Sequence, residues 1–382
     1  MYHTVIVGCG FAGAVMAREL AERGGENILI LEKRGHIGGN CYDRYDRYGV
    51  LIHQYGPHIF HTDSERVYQY LSRFTEWYDY SHEVVANVNG QLIPVPFSLA
   101  TLHMVFGEEM AKKLEKKLLE EFGEGTRVPI LKLRQAEDAD LQAVAEYVYE
   151  HIFLRYTMKQ WGQKPEEISP EVTERVPVLL SRDSRYFFDH YQGMPLFGYK
   201  ELIKEILSYP SIDVQLHTDA KDVLKLENGE NYLYGERYFG KIIYTGPIDE
   251  FFHCCYGRLP YRSLRFVLEH YKQDSYQPKA VVNYTVSEDY TRITEFKKLT
   301  GQEVAGTTIM KEYPCAYTDS KTQIPYYTIL KEENLELYRK YRALVRKYPN
   351  FYLLGRLAEY KYYNMDAIVE KALLLADELV KK

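Results

Sequence analysis

Thr4-Val-Ile-Val-Gly8-Cys-Gly10-Phe-Ala-Gly13 decides the fold. A short β-branched run ends in glycines spaced Gly-x-Gly-x-x-Gly. Apolar residues then recur at helical spacing through Val15, Met16 and Leu20, and Gly24-Gly25 closes that helix. A second apolar run, Ile28 to Leu31, ends in Glu32. The pattern predicts a βαβ start with a dinucleotide site. Gly8 makes the tight turn, Gly10 admits a pyrophosphate to the backbone, and Gly13 lets helix and strand pack closely. The helix N-terminus offers N–H groups to the phosphates, and the Glu32 carboxylate can accept ribose hydroxyls.

Composition narrows the class. The 382 residues give a prior of two to three domains at ~150 residues each. With 46% hydrophobic and 27% charged residues, the chain is neither disordered nor collagen-like. The net charge is 48 − 54 = −6 with no basic tail, so nucleic acid is not an expected partner. No stretch reaches the ~18 apolar residues of a membrane helix, and no leader pattern precedes the first strand. We therefore expect a cytoplasmic protein without membrane contact. Five cysteines, at 9, 41, 254, 255 and 315, form no C-x-x-C pair, so neither a disulfide framework nor a zinc site is expected. The 37 tyrosines are unusual. Their rings with one polar tip suit clefts for sugars and diphosphates, although most will pack at half-buried surfaces.

The stretch after Glu32, Lys33-Arg-Gly-His-Ile-Gly38-Gly39-Asn40, carries a second glycine pair. It resembles the FAD-binding signature of glutathione-reductase-like and amine-oxidase-like flavoproteins. In that resemblance this loop lies over the cofactor, and Gly355-Arg356 completes the flavin site.

Further along, residues 108–122 place apolar side chains at 111, 114, 118 and 122, which predicts a helix with a charged outer face. Residues 137–161 read as helical too. Asp213-Val-Gln-Leu-His alternates, Asn228-Gly229 signals a hairpin, and 262–330 contains alternating runs such as Lys279-Ala-Val-Val-Asn-Tyr-Thr-Val. A strand at Phe351–Gly355 precedes a helix from about Asp366 to Val380. The expected fold is α/β: a Rossmann-like FAD-binding domain from 1–77, 198–248 and 345–382, an inserted mostly helical domain at 78–182, and an antiparallel-sheet substrate domain from 183–197 and 249–344.

Candidate cleft residues lie outside the glycine loops. Tyr156-Thr157-Met-Lys-Gln-Trp161 sets a Tyr and a Trp five residues apart at a helix end, a stacking platform for a nucleobase or ordinary core packing. His58 and His61 in Gly56-Pro-His-Ile59-Phe-His-Thr lack a third ligand at recognisable spacing, so no metal is expected. Arg175 and Arg292 stand outside charge runs, where guanidinium groups suit a diphosphate or a surface ion pair.

Taken in order, Gly38-Gly-Asn40, Gly56-Pro-His-Ile-Phe-His-Thr62, Tyr156 to Gly162, Gln192-Gly-Met-Pro195, Tyr290-Thr-Arg-Ile-Thr-Glu295, Pro325-Tyr-Tyr327 and Gly355-Arg-Leu357 resemble the prokaryotic UDP-galactopyranose mutase family across essentially the whole chain. The resemblance implies a non-redox flavoenzyme that interconverts UDP-galactopyranose and UDP-galactofuranose, the precursor of galactofuranose in surface glycans. It implies a homodimer and a mobile loop near Arg175. It also implies that reduced flavin N5 attacks the anomeric carbon as UDP leaves. NAD(P)H or a flavodoxin-type protein are the candidate reductants.

Carried residue by residue, Tyr156 and Trp161 hold the uracil, with Phe153, Thr157 and Asn283 nearby. Arg175 and Arg292 clamp the diphosphate, Tyr186, Tyr327 and Tyr362 bond the phosphates, and His58 and His61 lie near the flavin. The implied cofactor set is Gly8, Gly10, Phe11, Ala12, Gly13, Glu32, Lys33, Gly39, Asn40, His58, Ile59, Gly355, Arg356, Tyr362, Asn364 and Met365. One departure stands out. The family's Gly-Thr-Tyr-x-Tyr-Leu-Asp pattern ends here in Asn364, which removes a negative charge and opens the sugar preference. A mutase for UDP-N-acetylgalactosamine or a dTDP-deoxysugar is the first rival reading, and a flavin amine oxidase or dehydrogenase the second.

Overall fold

Thr4–Val7 (β1), Phe11–Glu22 (α1) and Ile28–Leu31 (β2) open the fold in the order that the glycine spacing predicts. The computed structural model describes residues 2–161, 177–319 and 321–381. The β2 residues are all buried, the continuous apolar run of a parallel strand covered on both faces. A five-stranded parallel sheet forms in the order Ile212–Gln215, β2, β1, Lys241–Tyr244, Phe351–Leu353. The order switches direction at β1, and ligands bind outside the carboxyl ends of strands at such a switch point. The helix α1 is almost wholly buried and packs against the helix Met365–Val380.

The chain divides into two units. The first, Met1–Asp79, Asp189–Tyr261 and Pro325–Lys382, holds this sheet. Its hairpin from Leu224–Glu227 to Glu230–Leu233 turns at Asn228 (φ 50°) and Gly229 (φ 80°), both left-handed as an Asn-Gly type I′ turn requires.

The second unit comprises Tyr80–Phe188 and Arg262–Ile324. In its larger sheet, strands run in the order Tyr261–Tyr271, Thr307–Ala316, Arg292–Glu295, Val281–Tyr284, Val84–Val88, Gln91–Val95. The pairings are antiparallel except between Val281–Tyr284 and Val84–Val88. The stretch read as a helical insertion thus begins with a hairpin: Val84, Val85 and Val88 are β-branched and buried, and strand pairing wins there. Helices Leu99–Phe106, Glu108–Phe122 and Ala139–Val148 follow. Ser98 and Asp138 cap two of them by accepting backbone N–H groups. Ala111, Leu114 and Leu118 form the buried face of the predicted 108–122 helix. A π-turn, Tyr149–Leu154, joins Ala139–Val148 to the helix Arg155–Trp161.

Candidate functional site

A cleft with about 1390 Å³ of atom-free space opens at the switch point of the first unit. The three glycines around it serve different ends. A Cβ on Gly8, whose φ is +100°, would meet Thr245 Oγ1 at 2.1 Å, and one on Gly13 would meet the Gly8 carbonyl oxygen at 2.0 Å. Both are demanded by the protein itself. Gly10 differs. Its backbone is ordinary extended chain (φ −87°, ψ −170°), and a Cβ there would find no heavy atom nearer than Gly39 Cα at 3.7 Å. Nothing in the protein forbids a side chain at 10, and the space is open for a ligand's backbone approach.

Glu32 stands at the end of β2 with its carboxylate fixed. Oε2 accepts the Cys9 N–H and Oε1 the Arg34 N–H, each at 2.9 Å. A carboxylate has about four lone-pair sites, so it retains capacity for two ribose hydroxyls. Arg34 bonds Asn40 Oδ1 (2.9 Å) and lies over the Tyr55 ring, while its buried Nη1 has no partner among the described residues. An orphaned buried N–H lining the cleft fits an acceptor on a bound nucleotide. Burial lifts the thiols of Cys9 and Cys41 to about 12, which keeps both protonated and unreactive.

Of the sequence-predicted cofactor residues, Gly8, Gly10, Phe11, Ala12, Glu32, Lys33, Gly39, Asn40, His58, Gly355, Arg356, Asn364 and Met365 line this cleft. Gly13 packs beneath it. Thr245, Gly246 and Lys221 also line it and were missed by sequence reasoning. The signal was available for Thr245 and Gly246, since they follow a strand that ends beside β1.

His58 Nδ1 donates to the Gly56 carbonyl at 2.8 Å, so Nε2 carries the lone pair when the ring is neutral. His53 behind it is fully buried and accepts the His58 N–H at 3.0 Å, and burial holds its pKa down at about 3. His61 lies on another strand, with Nδ1 3.0 Å from Asp189 Oδ2. Tyr327 and Tyr362 stack with ring centres 6.3 Å apart, and Arg356 lies over Tyr362 at 4.7 Å.

The second unit gathers other candidates. Asn283 and Arg292 face each other in register across adjacent strands. Arg292 Nε donates to the buried Glu312 at 2.7 Å. Asn283 Oδ1 is buried without a donor among the described residues. Tyr156 is half-buried, Thr157 buried, and Trp161 ends their helix. Phe153 is wholly buried in the apolar core of this unit. Tyr186 is exposed beside His82 and Phe187. Arg175 lies outside the described residues. Among the described residues no group of three or more His, Cys, Asp or Glu side chains could hold a metal ion, and no helix is long and apolar enough to cross a membrane.

Known proteins resemble this chain in sequence and in fold. A family model described as UDP-galactopyranose mutase matches residues 151–362, and one described as an NAD(P)-binding Rossmann-like domain matches residues 6–74. A probable UDP-galactopyranose mutase of Klebsiella pneumoniae is 37% identical over 98% of this chain and 94% of its own length. A dTDP-fucopyranose mutase of Escherichia coli is 35% identical over 100% and 99%. A crystal structure of reduced UDP-galactopyranose mutase superposes with a TM-score of 0.74 at 16% identity, over 100% of this chain and 94% of that one.

Proposed function

The chain belongs to the UDP-galactopyranose mutase family of isomerases, and from that premise we propose that it interconverts UDP-galactopyranose and UDP-galactofuranose with FAD as its resident cofactor. What carries the reading is the match to sugar-nucleotide mutases along essentially the whole chain. The FAD assignment is supported by the open face at Gly10, the doubly anchored Glu32 and the orphaned Arg34 Nη1.

Reduced flavin, when bound, supplies the electron-rich nitrogen that this isomerisation needs. The chain's own residues do the rest. Glu32 holds the ribose, and α1 turns its N-terminal N–H groups toward the pyrophosphate. Arg356 and His58 border the same cleft. In the second unit, Tyr156 and Trp161 hold the base. Arg292, aimed by Glu312, and Arg175 carry the diphosphate and stabilise its charge as the glycosidic bond opens. Tyr186, Tyr327 and Tyr362 add hydroxyl donors.

A second reading has its own support. The E. coli relative named as a dTDP-fucopyranose mutase is nearly as similar, and Asn364 replaces the expected acid on the exposed rim of the cleft. That combination favours a deoxy sugar on a dTDP carrier. The deciding experiment is chromatography of UDP-galactofuranose and of a dTDP-fucose pair, each incubated with the purified holoprotein with and without dithionite. Conversion of the UDP sugar in the reduced sample alone supports the proposal. Conversion of the dTDP sugar alone selects the second reading, and conversion of neither sugar in the reduced sample overturns both.

A further inference from the structure

Lys159 is a half-buried cation on the helix Arg155–Trp161. Its ammonium donates to the backbone carbonyls of Tyr284 at 2.6 Å, Glu288 at 3.0 Å and Tyr290 at 3.5 Å. An ammonium carries three N–H donors and no acceptor, so three converging carbonyls match it fully. Tyr284 ends the strand Val281–Tyr284, and Glu288 and Tyr290 lie in the turn that leads from it to the strand Arg292–Glu295. That turn sets the register of Asn283 against Arg292. The helix is also tied at its C-terminal end. Arg262 Nε donates to the Gln160 carbonyl at 3.1 Å and Nη2 to the Lys159 carbonyl at 3.4 Å, satisfying carbonyls at the helix end.

A lysine that only solubilised this helix would keep its head in water. Here the head is drawn onto backbone, adding three bonds to a turn of about seven residues that the Tyr284 N–H closes on the Thr291 carbonyl at 2.8 Å and the Thr291 N–H ties to the Glu312 carbonyl at 2.8 Å. One side chain therefore joins the two segments that the functional reading assigns to base and diphosphate.

We propose that Lys159 is a positioning residue for nucleotide binding: it locks the 284–292 turn, and with it Asn283 and Arg292, onto the helix that carries Tyr156, Thr157 and Trp161. The inference rests on the nucleotide-sugar reading of that unit. Lys159 itself touches no substrate. Its loss should displace the turn and weaken nucleotide binding while leaving the cofactor cleft of the other unit intact.

The test titrates UDP into the flavin-loaded wild-type, K159M and K159R proteins by calorimetry, alongside steady-state kinetics and the flavin spectrum. K159M keeps the length of the side chain without its donors. It should bind UDP about tenfold more weakly and lower kcat/KM by at least that factor, with flavin content unchanged. K159R keeps charge and donors in a planar fork that cannot converge on three points, and should fall in between. Should K159M fail to fold, K159Q is measured under the same expectation. K159M with wild-type affinity overturns the inference, as does loss of flavin and nucleotide together. Wild-type protein that binds neither UDP nor dTDP sinks the nucleotide reading itself and this inference with it, a result distinct from intact wild-type binding with an indifferent K159M.

Discussion

Arg292 Nε and Glu312 Oε2 lie 2.7 Å apart, joining an arginine side chain that is 23% exposed to a carboxylate that is 1% exposed. The acid cannot reach water, so its orientation is set by packing and the guanidinium is aimed by it. Replacing Glu312 by Gln keeps the shape and removes the charge. We expect kcat/KM to fall by the worth of one charged hydrogen bond, about 1.5–3 kcal/mol or roughly ten- to a hundredfold. R292A should instead destabilise the fold by about 3–5 kcal/mol, because it leaves a buried carboxylate unpaired. The double variant R292A/E312Q should melt closer to wild type yet stay inactive. Thermal melts and kinetics of the three proteins check this, and independent, additive losses would remove the coupling.

The glycines at 10 and 13 should part company when each becomes alanine. G13A brings Cβ to 2.0 Å from the Gly8 carbonyl oxygen inside a close-packed helix–strand contact, and should not yield stable protein. G10A has room on the protein side and an ordinary φ. It should melt near wild-type apoprotein and purify colourless. Equal behaviour of the two would contradict a ligand at Gly10.

Glu32 should control cofactor retention. E32Q loses one acceptor and the negative charge facing the ribose, so FAD affinity should drop about tenfold, ~1.4 kcal/mol. The ratio of flavin to protein absorbance after dialysis measures it. Full retention of flavin by E32Q would remove Glu32 from the ribose contact.

A pH effect is expected in the second unit. His103 Nδ1 lies 2.9 Å from Glu108 and Nε2 2.6 Å from Glu115, with Lys112 and Arg182 on the same carboxylates. Both ring nitrogens face acceptors, which only the imidazolium satisfies, and hydrogen bonds to Glu108 first and Glu115 second raise its pKa. A raised folded value means stability present below the ordinary ~6.5 and lost as pH climbs through the raised one. The melting temperature should therefore decline above neutrality in wild type and less so in H103N. Parallel curves would refute the contribution.

Much of the first unit is legible from local sequence. Gly8, Gly10, Gly13 and Glu32 lie within one βαβ span, and each answers a local need of turn, approach or packing. The Asn228-Gly229 turn and the apolar positions 111, 114 and 118 are likewise short-range signals, since period and left-handed φ are properties of neighbouring residues. The hairpin at Val84–Val95 was harder. Short apolar runs are ambiguous between helix and strand until a partner strand, here Val281–Tyr284, is present to pair with them.

The functional pairs show the same division. Residue types suited to a base, a diphosphate or a cofactor can be proposed from motifs, because chemistry restricts which side chains suit each task. Their alignment could not. Glu312 becomes the partner of Arg292 only through a twenty-residue return of the sheet, and Lys159 reaches carbonyls more than a hundred residues away. Local sequence carries conformational preference and chemical type; the burial that immobilises Glu312 and the convergence of three carbonyls on Lys159 exist only after distant strands have paired and excluded water.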